Sequence, residues 1–329
     1  MISSIGIIGL GSIGCRHLRL ARELQPEFNI IAVRSGMGKK VEDEKLANST
    51  LFSLKDAIEA GIQAAVIATP AVHHIQQAIE LMGNGIHVLI EKPLSHSLDN
   101  LDELLRVKQN SKVVCLVGYC LRYNSGALKF HNMLNNKKIG QILHVQVNCG
   151  SYLPHWRPDQ DYRQSVSAIK ELGGGVLLEL SHELDYIRWF FGDMKSVYAN
   201  IQNSGTLDIN ADDSTDMIFE SELGFSVSVH LDFNSQNTRR KCIVRCANGA
   251  LIWDAIANKV IWQPTDDPEE IENFNNDNDF IYREQLKHFF DCIENKKLPS
   301  VSINDGVAVL NMIESAKQSH KMGKKIAIA

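Results

Sequence analysis

The sequence predicts an α/β chain in two parts: a parallel sheet flanked by helices, then an α+β half built on a mainly antiparallel sheet. Three observations predict it. The 329 residues exceed the ~250–300 at which a single hydrophobic core stops growing, so two domains are expected. In the first third of the chain, short apolar runs alternate with longer stretches of helical spacing, the mark of strand–helix–strand units. Beyond it the apolar residues fall at every second position, the mark of strands with one face buried and one face wet.

Taken in order, residues 2–8 (ISSIGII) are a β-branched run ending in a glycine turn, and CRHLRLAREL beyond the turn has helical spacing. Residues 28–33 (FNIIAV), 63–68 (QAAVIA), 86–90 (IHVLI) and 112–118 (KVVCLVG) read as strands, with helices over 54–61, 71–83 and 97–109. Strands that are apolar throughout are covered on both faces, as a parallel sheet requires. A helix over 124–135 leads into the alternating strands 142–149 (ILHVQVNC), 225–233 (FSVSVHLDF) and 241–246 (KCIVRC), with shorter strands at 250–253 and 259–262. Residues 154–170 have no period and read as a loop before a helix over 176–191. The acidic, Asn-rich stretch 265–279 reads as an exposed connection, and helices over about 280–295 and 304–322 close the chain. The expected domains are 1–120 and 121–329, with the last helix able to pack back on the first domain.

Composition narrows the function. Hydrophobic residues at 44% and charged residues at 22% suit a globular core, and a net charge of −5 offers no basic surface for nucleic acid or anionic membrane. No apolar run approaches the ~20 residues of a membrane span. The N-terminus lacks the basic region of a signal peptide, so a cytoplasmic protein is expected. Seven cysteines without a CxxC pair point to reduced thiols rather than disulfides or zinc, and Cys242 and Cys246 read as sheet core. His73 and His74 are adjacent on an expected helix, about 100° apart, which makes a poor chelating pair. No metal is expected.

Gly9-Leu10-Gly11-Ser12-Ile13-Gly14 is a GxGxxG motif between an expected strand and an expected helix, the context in which it signals a Rossmann dinucleotide-binding domain. Gly9 permits the tight turn, Gly11 lets the backbone approach a pyrophosphate, and Gly14 lets helix and strand pack closely. The amides at Ser12 and Ile13 then face the phosphates. At the end of the second strand, where an acid would bind the ribose of NAD, the sequence reads Arg34-Ser35. Arg34 suits a 2′-phosphate and adenine stacking, Ser35 adds a hydrogen bond, and Lys39 or Lys40 adds a little field. NADP(H) is therefore the preferred cofactor, with NAD otherwise.

Further segments resemble the glucose–fructose oxidoreductase, inositol dehydrogenase and rhizopine-catabolism (Gfo/Idh/MocA) family. They are Ala68-Thr69-Pro70 with His73, then Glu91-Lys92-Pro93, then GGGVLLELSHELDYIRWFFG at 173–192, and a C-terminal stretch from Phe289 to Lys325. The resemblance implies a second domain with a large open sheet that often joins subunits, hence a homodimer or homotetramer. It implies hydride transfer to or from a carbinol or keto carbon of a sugar, nucleotide sugar or cyclitol, with Thr69, Pro70, His73 and Glu91 near the cofactor and Lys92 as the catalytic lysine. A non-catalytic NADP-binding regulator is the competing reading, as is a reductase of a dihydrodiol or biliverdin type of substrate.

Lys92 lies just past a strand end, where ligands of open α/β sheets bind, and its ammonium suits a developing alkoxide. His182 is the expected proton-transfer group, since imidazole titrates near neutrality. Glu179 lies three residues before it and Asp185 three after, so either carboxylate could orient the ring on a helix, and Asp185 is also expected to meet the substrate. Where the family has an Asp, four residues before the His, this chain has Leu178; either Glu179 replaces it or nothing does. Arg122 and Tyr123 follow the last parallel strand, within reach of nicotinamide or substrate, with an interdomain salt bridge as the equal alternative. Trp156, Arg157, Tyr162 and Arg163 are the sugar- and anion-binding types in the unstructured loop, and the two arginines hint at a charged substrate.

Overall fold

A computed structural model of the chain describes residues 2–36 and 40–328. Lys39 lies outside the described residues. The chain divides into two compact units, 1–120 with 279–310, and 121–278 with 311–329. The sequence-based division gave all of 121–329 to the second; the packing groups 279–310 with the first.

The first unit holds β1 (Ser4–Ile8), α1 (Ser12–Leu24), β2 (Asn29–Val33), β3 (Ser49–Leu51), α2 (Leu54–Glu59), β4 (Ala64–Ile67), α3 (His74–Gly83), β5 (His87–Ile90), α4 (Leu101–Asn110) and β6 (Cys115–Val117). Among the described residues its sheet has six strands in the order β3-β2-β1-β4-β5-β6, all parallel. The order reverses between β1 and β4, which opens a crevice beyond their carboxyl ends. Every residue of β1 and β4 is buried, which is why both read as unbroken apolar runs. Late in the chain, α8 (Phe280–Asn295) joins the same core. Its Leu286, Phe289 and Phe290 pack with Ile5, Ile7 and Leu18, and Phe290 meets Phe28 edge-on with ring centroids 5.6 Å apart. Burying each such side chain contributes about 1.5–3 kcal/mol.

The second unit holds α5 (Ser125–Leu134), β7 (Ile142–Gly150), α6 (Val176–Glu179), α7 (His182–Phe191), β8 (Met194–Gln202), β9 (Ser214–Ser221), β10 (Ser226–Asp232), β11 (Arg239–Cys246), β12 (Gly249–Asp254), β13 (Lys259–Pro264) and β14 (Glu270–Asn273). A long helix, α9 (Ile303–Met322), and the short β15 (Ile326–Ala327) end the chain. The sheet has nine strands among the described residues, ordered β14-β13-β12-β11-β7-β10-β9-β8-β15. All neighbours are antiparallel except β7 and β10. Val227, Val229 and Leu231 of β10 are buried while Ser226, Ser228 and His230 face outward, the alternation the sequence showed. On the buried face Tyr186 and Phe190 of α7 pack with Phe130 of α5 and Trp253 of β12. Cys242 and Cys246 are buried in β11, and all seven cysteines are buried with none in a disulfide.

The structure departs from the expected elements in three places. The loop read at 154–170 carries short 3-10 turns, at Tyr162–Gln164 and Val166–Ala168 among others. The acidic stretch contributes β14, an edge strand exposed along its length, whose charges guard an open edge. The helix expected over 176–191 is two helices, interrupted at Leu180 and Ser181.

Candidate active site

In the first unit the site is built around the glycine turn. Gly9 has φ +91, and a Cβ there would lie 2.8 Å from the Ala68 carbonyl oxygen. Its amide donates to the Val33 carbonyl at 2.9 Å, tying the turn to the end of β2. A Cβ on Gly14 would fall 1.9 Å from the Gly9 carbonyl oxygen, whereas one on Gly11 would meet nothing within 4 Å. The first and third glycines are thus demanded by the fold, and the second guards open space. Gly11 caps α1 with no side-chain hydrogen bond, and no acidic residue stands in the first turn. A helix N-terminus of this length, with Ser12 exposed and no acid in its first turn, is matched to a diphosphate. The residues fit a dinucleotide.

Arg34 follows β2 as expected, but its guanidinium Nη1 donates to Glu44 Oε2 at 2.9 Å, with both side chains about nine-tenths buried. The arginine read as matching a 2′-phosphate already has a carboxylate partner. Ser35 is exposed beside it.

The turns after β4 and β5 carry the remaining cofactor candidates. Thr69 Oγ1 donates to Gln77 Oε1 at 2.7 Å. His73 is exposed and His74 buried, as the 100° between neighbours on a helix requires. The His74 ring lies between two backbone carbonyls, Thr69 O at 2.8 Å and Pro93 O at 2.9 Å, and so joins the two turns. Burial pushes its pKa down while the two carbonyls, which only accept, pull it up. Glu91, expected at the cofactor, is 5% exposed. Its Oε1 pairs with His17 Nε2 of α1 at 2.6 Å, and its Oε2 accepts from the Lys92 amide at 3.1 Å. The structure therefore makes Glu91 a bracket that fixes the Lys92 backbone to α1. Lys92 itself is half-buried and precedes Pro93 through a cis peptide.

In the second unit the triple glycine of 173–175 has a packing cause. A Cβ on Gly174 would lie 2.3 Å from the Val166 carbonyl oxygen, and one on Gly175 2.3 Å from Asp212 Oδ1. Asp212 then caps α6, its Oδ2 accepting from the Leu177 amide at 3.1 Å. His182, 7% exposed, opens α7. Glu179 ends α6, so it and His182 stand in two helices, on either side of the interruption at Leu180 and Ser181. Asp185 is 1% exposed and holds Arg122 in a bidentate pair, Nε to Oδ2 at 2.9 Å and Nη2 to Oδ1 at 2.7 Å. Arg122 and Asp185, expected at the cofactor and the substrate, are thus joined in a buried pair within one unit. Glu183, fully buried, pairs with Arg240 at 2.7 Å.

In the loop, Trp156 is anchored, its Nε1 donating to Ser151 Oγ at 2.9 Å and its ring edge-on to Phe233. Arg163 is matched by Asp161 at 2.9 Å and Asp208 at 3.3 Å. Arg157 is exposed, and Tyr123 and Tyr162 are half-buried. Among the described residues no cluster of three or more His, Cys, Asp or Glu is arranged to hold a metal, and no helix is long and apolar enough to cross a membrane. Sequence reasoning missed Glu44, His17, His74 and Arg240. Only the acidic triplet 42–44, ten residues past the strand end, carried any signal.

Comparison with known proteins bears on both units. The profile of an oxidoreductase family with an NAD-binding Rossmann fold matches residues 3–119, and that of the GFO/IDH/MocA C-terminal domain matches residues 127–252. A 2,7-anhydro-N-acetylneuraminate hydratase of Mediterraneibacter gnavus is 26% identical over 57% of this chain and 49% of its own length. The chain thus spans about half the length of the first curated relatives it matches. A D-xylose 1-dehydrogenase (NADP(+)) of Haloferax volcanii is 22% identical over 98% of this chain and 99% of its own. Among solved structures, a levoglucosan dehydrogenase in complex with NADH and levoglucosan superposes with a TM-score of 0.87 at 17% identity, covering 99% of each chain; that likeness is one of fold.

Proposed function

We propose, from the premise that this chain belongs to the GFO/IDH/MocA oxidoreductase family, that it is an NAD(P)-dependent enzyme oxidising or reducing one carbinol carbon of a sugar, nucleotide sugar or cyclitol. The observation that carries the reading is the uncapped, acid-free start of α1 behind a glycine turn with open space at Gly11. A bound nicotinamide dinucleotide supplies the hydride acceptor or donor.

The chain's own residues do the rest. The α1 amides hold the diphosphate. Lys92, its backbone fixed by the Glu91 bracket, places an ammonium against the substrate oxygen and stabilises the negative charge that grows there on oxidation. His182 takes the hydroxyl proton in that direction and returns it in reduction. Trp156 and Tyr162 offer faces for a sugar ring, and Tyr123 and Arg157 offer polar contacts. With Arg163 matched by two carboxylates, an uncharged polyol suits the loop better than a sugar acid.

The test is substrate turnover followed by nicotinamide absorbance over a panel of sugars and cyclitols. Lys92→Met and His182→Asn should each abolish turnover while leaving dinucleotide binding intact; normal turnover in either removes that residue from the mechanism. Turnover of none of the panel, with binding intact, turns the reading toward a regulator or a reductase of non-sugar substrates. The hydratase relative favours a second reading, net hydration of a sugar ring, in which product forms without accumulation of reduced cofactor.

Two further readings belong here. The outward face of the second unit's sheet bears Tyr198 and Ile218, directly paired across β8 and β9 and about half exposed. This supports a homodimer or homotetramer through that face, which light scattering of wild type against Ile218→Lys would test. Seven buried cysteines without a disulfide support a cytoplasmic setting. As for NADP(H), the preference read from Arg34 is weakened by its pairing with Glu44, and the choice of cofactor turns on that pair.

A further inference from the structure

In glycine-turn folds the side chain just past β2 selects the dinucleotide, because it meets the adenosine ribose. A carboxylate accepts from the free 2′-hydroxyl, while an arginine embraces a 2′-phosphate. In this chain that residue is Arg34, and read alone it favours the phosphate. The structure supplies what the sequence position lacks. Glu44, from the 3-10 turn Glu42–Leu46, brings its carboxylate 2.9 Å from the Arg34 guanidinium.

The turn that carries Glu44 is fastened to α1, the helix whose N-terminus faces the diphosphate. Arg19 donates to Asp43 at 2.5 Å, and the Arg22 guanidinium donates twice to the Leu46 carbonyl, at 3.1 and 3.0 Å. The charges converge on the first turn of that helix. Burial pushes the Cys15 thiol up, the Asp43 carboxylate adds to the rise, and the Arg19 and Arg34 guanidiniums oppose it. Glu44 also borders an open depression shared with Lys40 and Asn48.

We propose that Glu44 is the residue that determines cofactor choice in this protein, acting with Arg34 to favour NAD(H) over NADP(H). The inference rests on the dinucleotide reading above. A 2′-phosphate would bring roughly two negative charges to a place that already holds a carboxylate with a side chain only 10% exposed. The only guanidinium positioned for it by the sequence is already matched, so the phosphate must share Arg34 or break the pair, and breaking a largely buried pair strands a charge. Lys40 is exposed, so its attraction is weakened by water and salt. A ribose with a free 2′-hydroxyl meets no such conflict: it donates to Glu44 and accepts from Arg34.

Binding to the full-length protein without substrate tests this, by titrating NADH and NADPH against nicotinamide fluorescence. NADH should bind the wild type about tenfold or more tighter than NADPH, since juxtaposed like charges discriminate at that level or above. Glu44→Gln keeps the shape and an acceptor but removes the charge, and should narrow that ratio by about tenfold; Glu44→Asp should keep NADH preferred. Equal or tighter NADPH binding by the wild type overturns the proposal, as does an unchanged ratio in a Glu44→Gln protein that melts like the wild type. Should Glu44→Gln not fold, the wild-type ratio alone decides. Binding of neither nucleotide by the wild type is a different failure: it removes the dinucleotide reading itself, and the inference with it.

Discussion

Replacing Asp185 with Ala separates a structural carboxylate from a substrate-binding one. Asp185 is 1% exposed, and its two oxygens receive Nε and Nη2 of Arg122 at 2.9 and 2.7 Å. The Arg122 side chain is 9% exposed and lies over the Trp189 ring at 5.9 Å. Removing the carboxylate leaves a guanidinium largely out of water with its main counter-charge gone. Breaking a buried pair in this way costs about 3–5 kcal/mol. In a unit of this size each kcal/mol lowers the melting temperature by about 2–4 °C, so Asp185→Ala should melt on the order of 6–20 °C below wild type.

The assay is thermal melting by circular dichroism of Asp185→Ala, Arg122→Met and the double variant Arg122→Met/Asp185→Leu. The double variant replaces both charges by apolar groups of similar volume, which is often close to neutral, so it should recover most of the loss. A single variant melting within about 2 °C of wild type, or a double variant losing the sum of both singles, would show that the pair does not hold this unit together. If Asp185→Ala kept its stability but lost affinity for substrate, the earlier reading of Asp185 as a substrate ligand would return.

Three other outcomes are expected. Gly11→Ala should leave the melting temperature of the apoprotein unchanged, because nothing lies within 4 Å of the new Cβ, yet weaken dinucleotide binding about tenfold or more, while Gly14→Ala should lose stability and binding together because its Cβ would fall 1.9 Å from a backbone oxygen; equal behaviour of the two variants contradicts the assigned roles. His230 contacts Asp216 at 2.7 Å and Asp232 at 3.2 Å, and the Asp232 contact above all raises its pKa from 6.5 to about 9. A folded pKa above the unfolded one gives stability that is full below pH ~6.5 and lost as pH rises through about 9, so the melting-temperature advantage of wild type over His230→Gln should shrink across that window; a constant difference refutes the assignment. Finally, kcat/KM for the preferred sugar should change less than about twofold as ionic strength is raised severalfold, because an uncharged substrate is not steered by the protein's field; a steep fall indicates an anionic substrate.

The first unit was legible because parallel strands are covered on both sides. Ile5, Ile7, Ala64 and Val66 are fully buried, and so the periodicity has no ambiguity. β3 escaped notice because Ser49–Leu51 is a three-residue strand without an apolar run. In the second unit β8 and β9 were missed although their burial alternates. β8 opens with a register shift between Met194 and Ser196, which blurs period two. The break between α6 and α7 left no mark on the apolar spacing, because it lies in the backbone at Leu180 (φ −96, ψ 29), and Leu is compatible with a continuous helix. Motif positions were found where the residue itself does the work, as at Gly9 and Gly14. Partners distant in sequence left no mark: Glu91 to His17, Asp185 to Arg122 and Glu183 to Arg240 are 74, 63 and 57 residues apart.

Those pairings also bear on what the second unit can bind under the proposed function. The two carboxylates that the structure buries in the 179–185 segment, Glu183 and Asp185, are each answered by an arginine, and both arginines are largely shielded from water. A matched pair attracts an anion weakly, since the field of the guanidinium is cancelled by its partner a few ångströms away. Arg163, exposed and flanked by Asp161 and Asp208, is cancelled in the same way. Under the proposed function, what the unit then offers a ligand is hydrogen bonding and the aromatic faces of Trp156 and Tyr162. That is the environment of a hydroxylated ring, whose oxygens donate and accept but carry no charge.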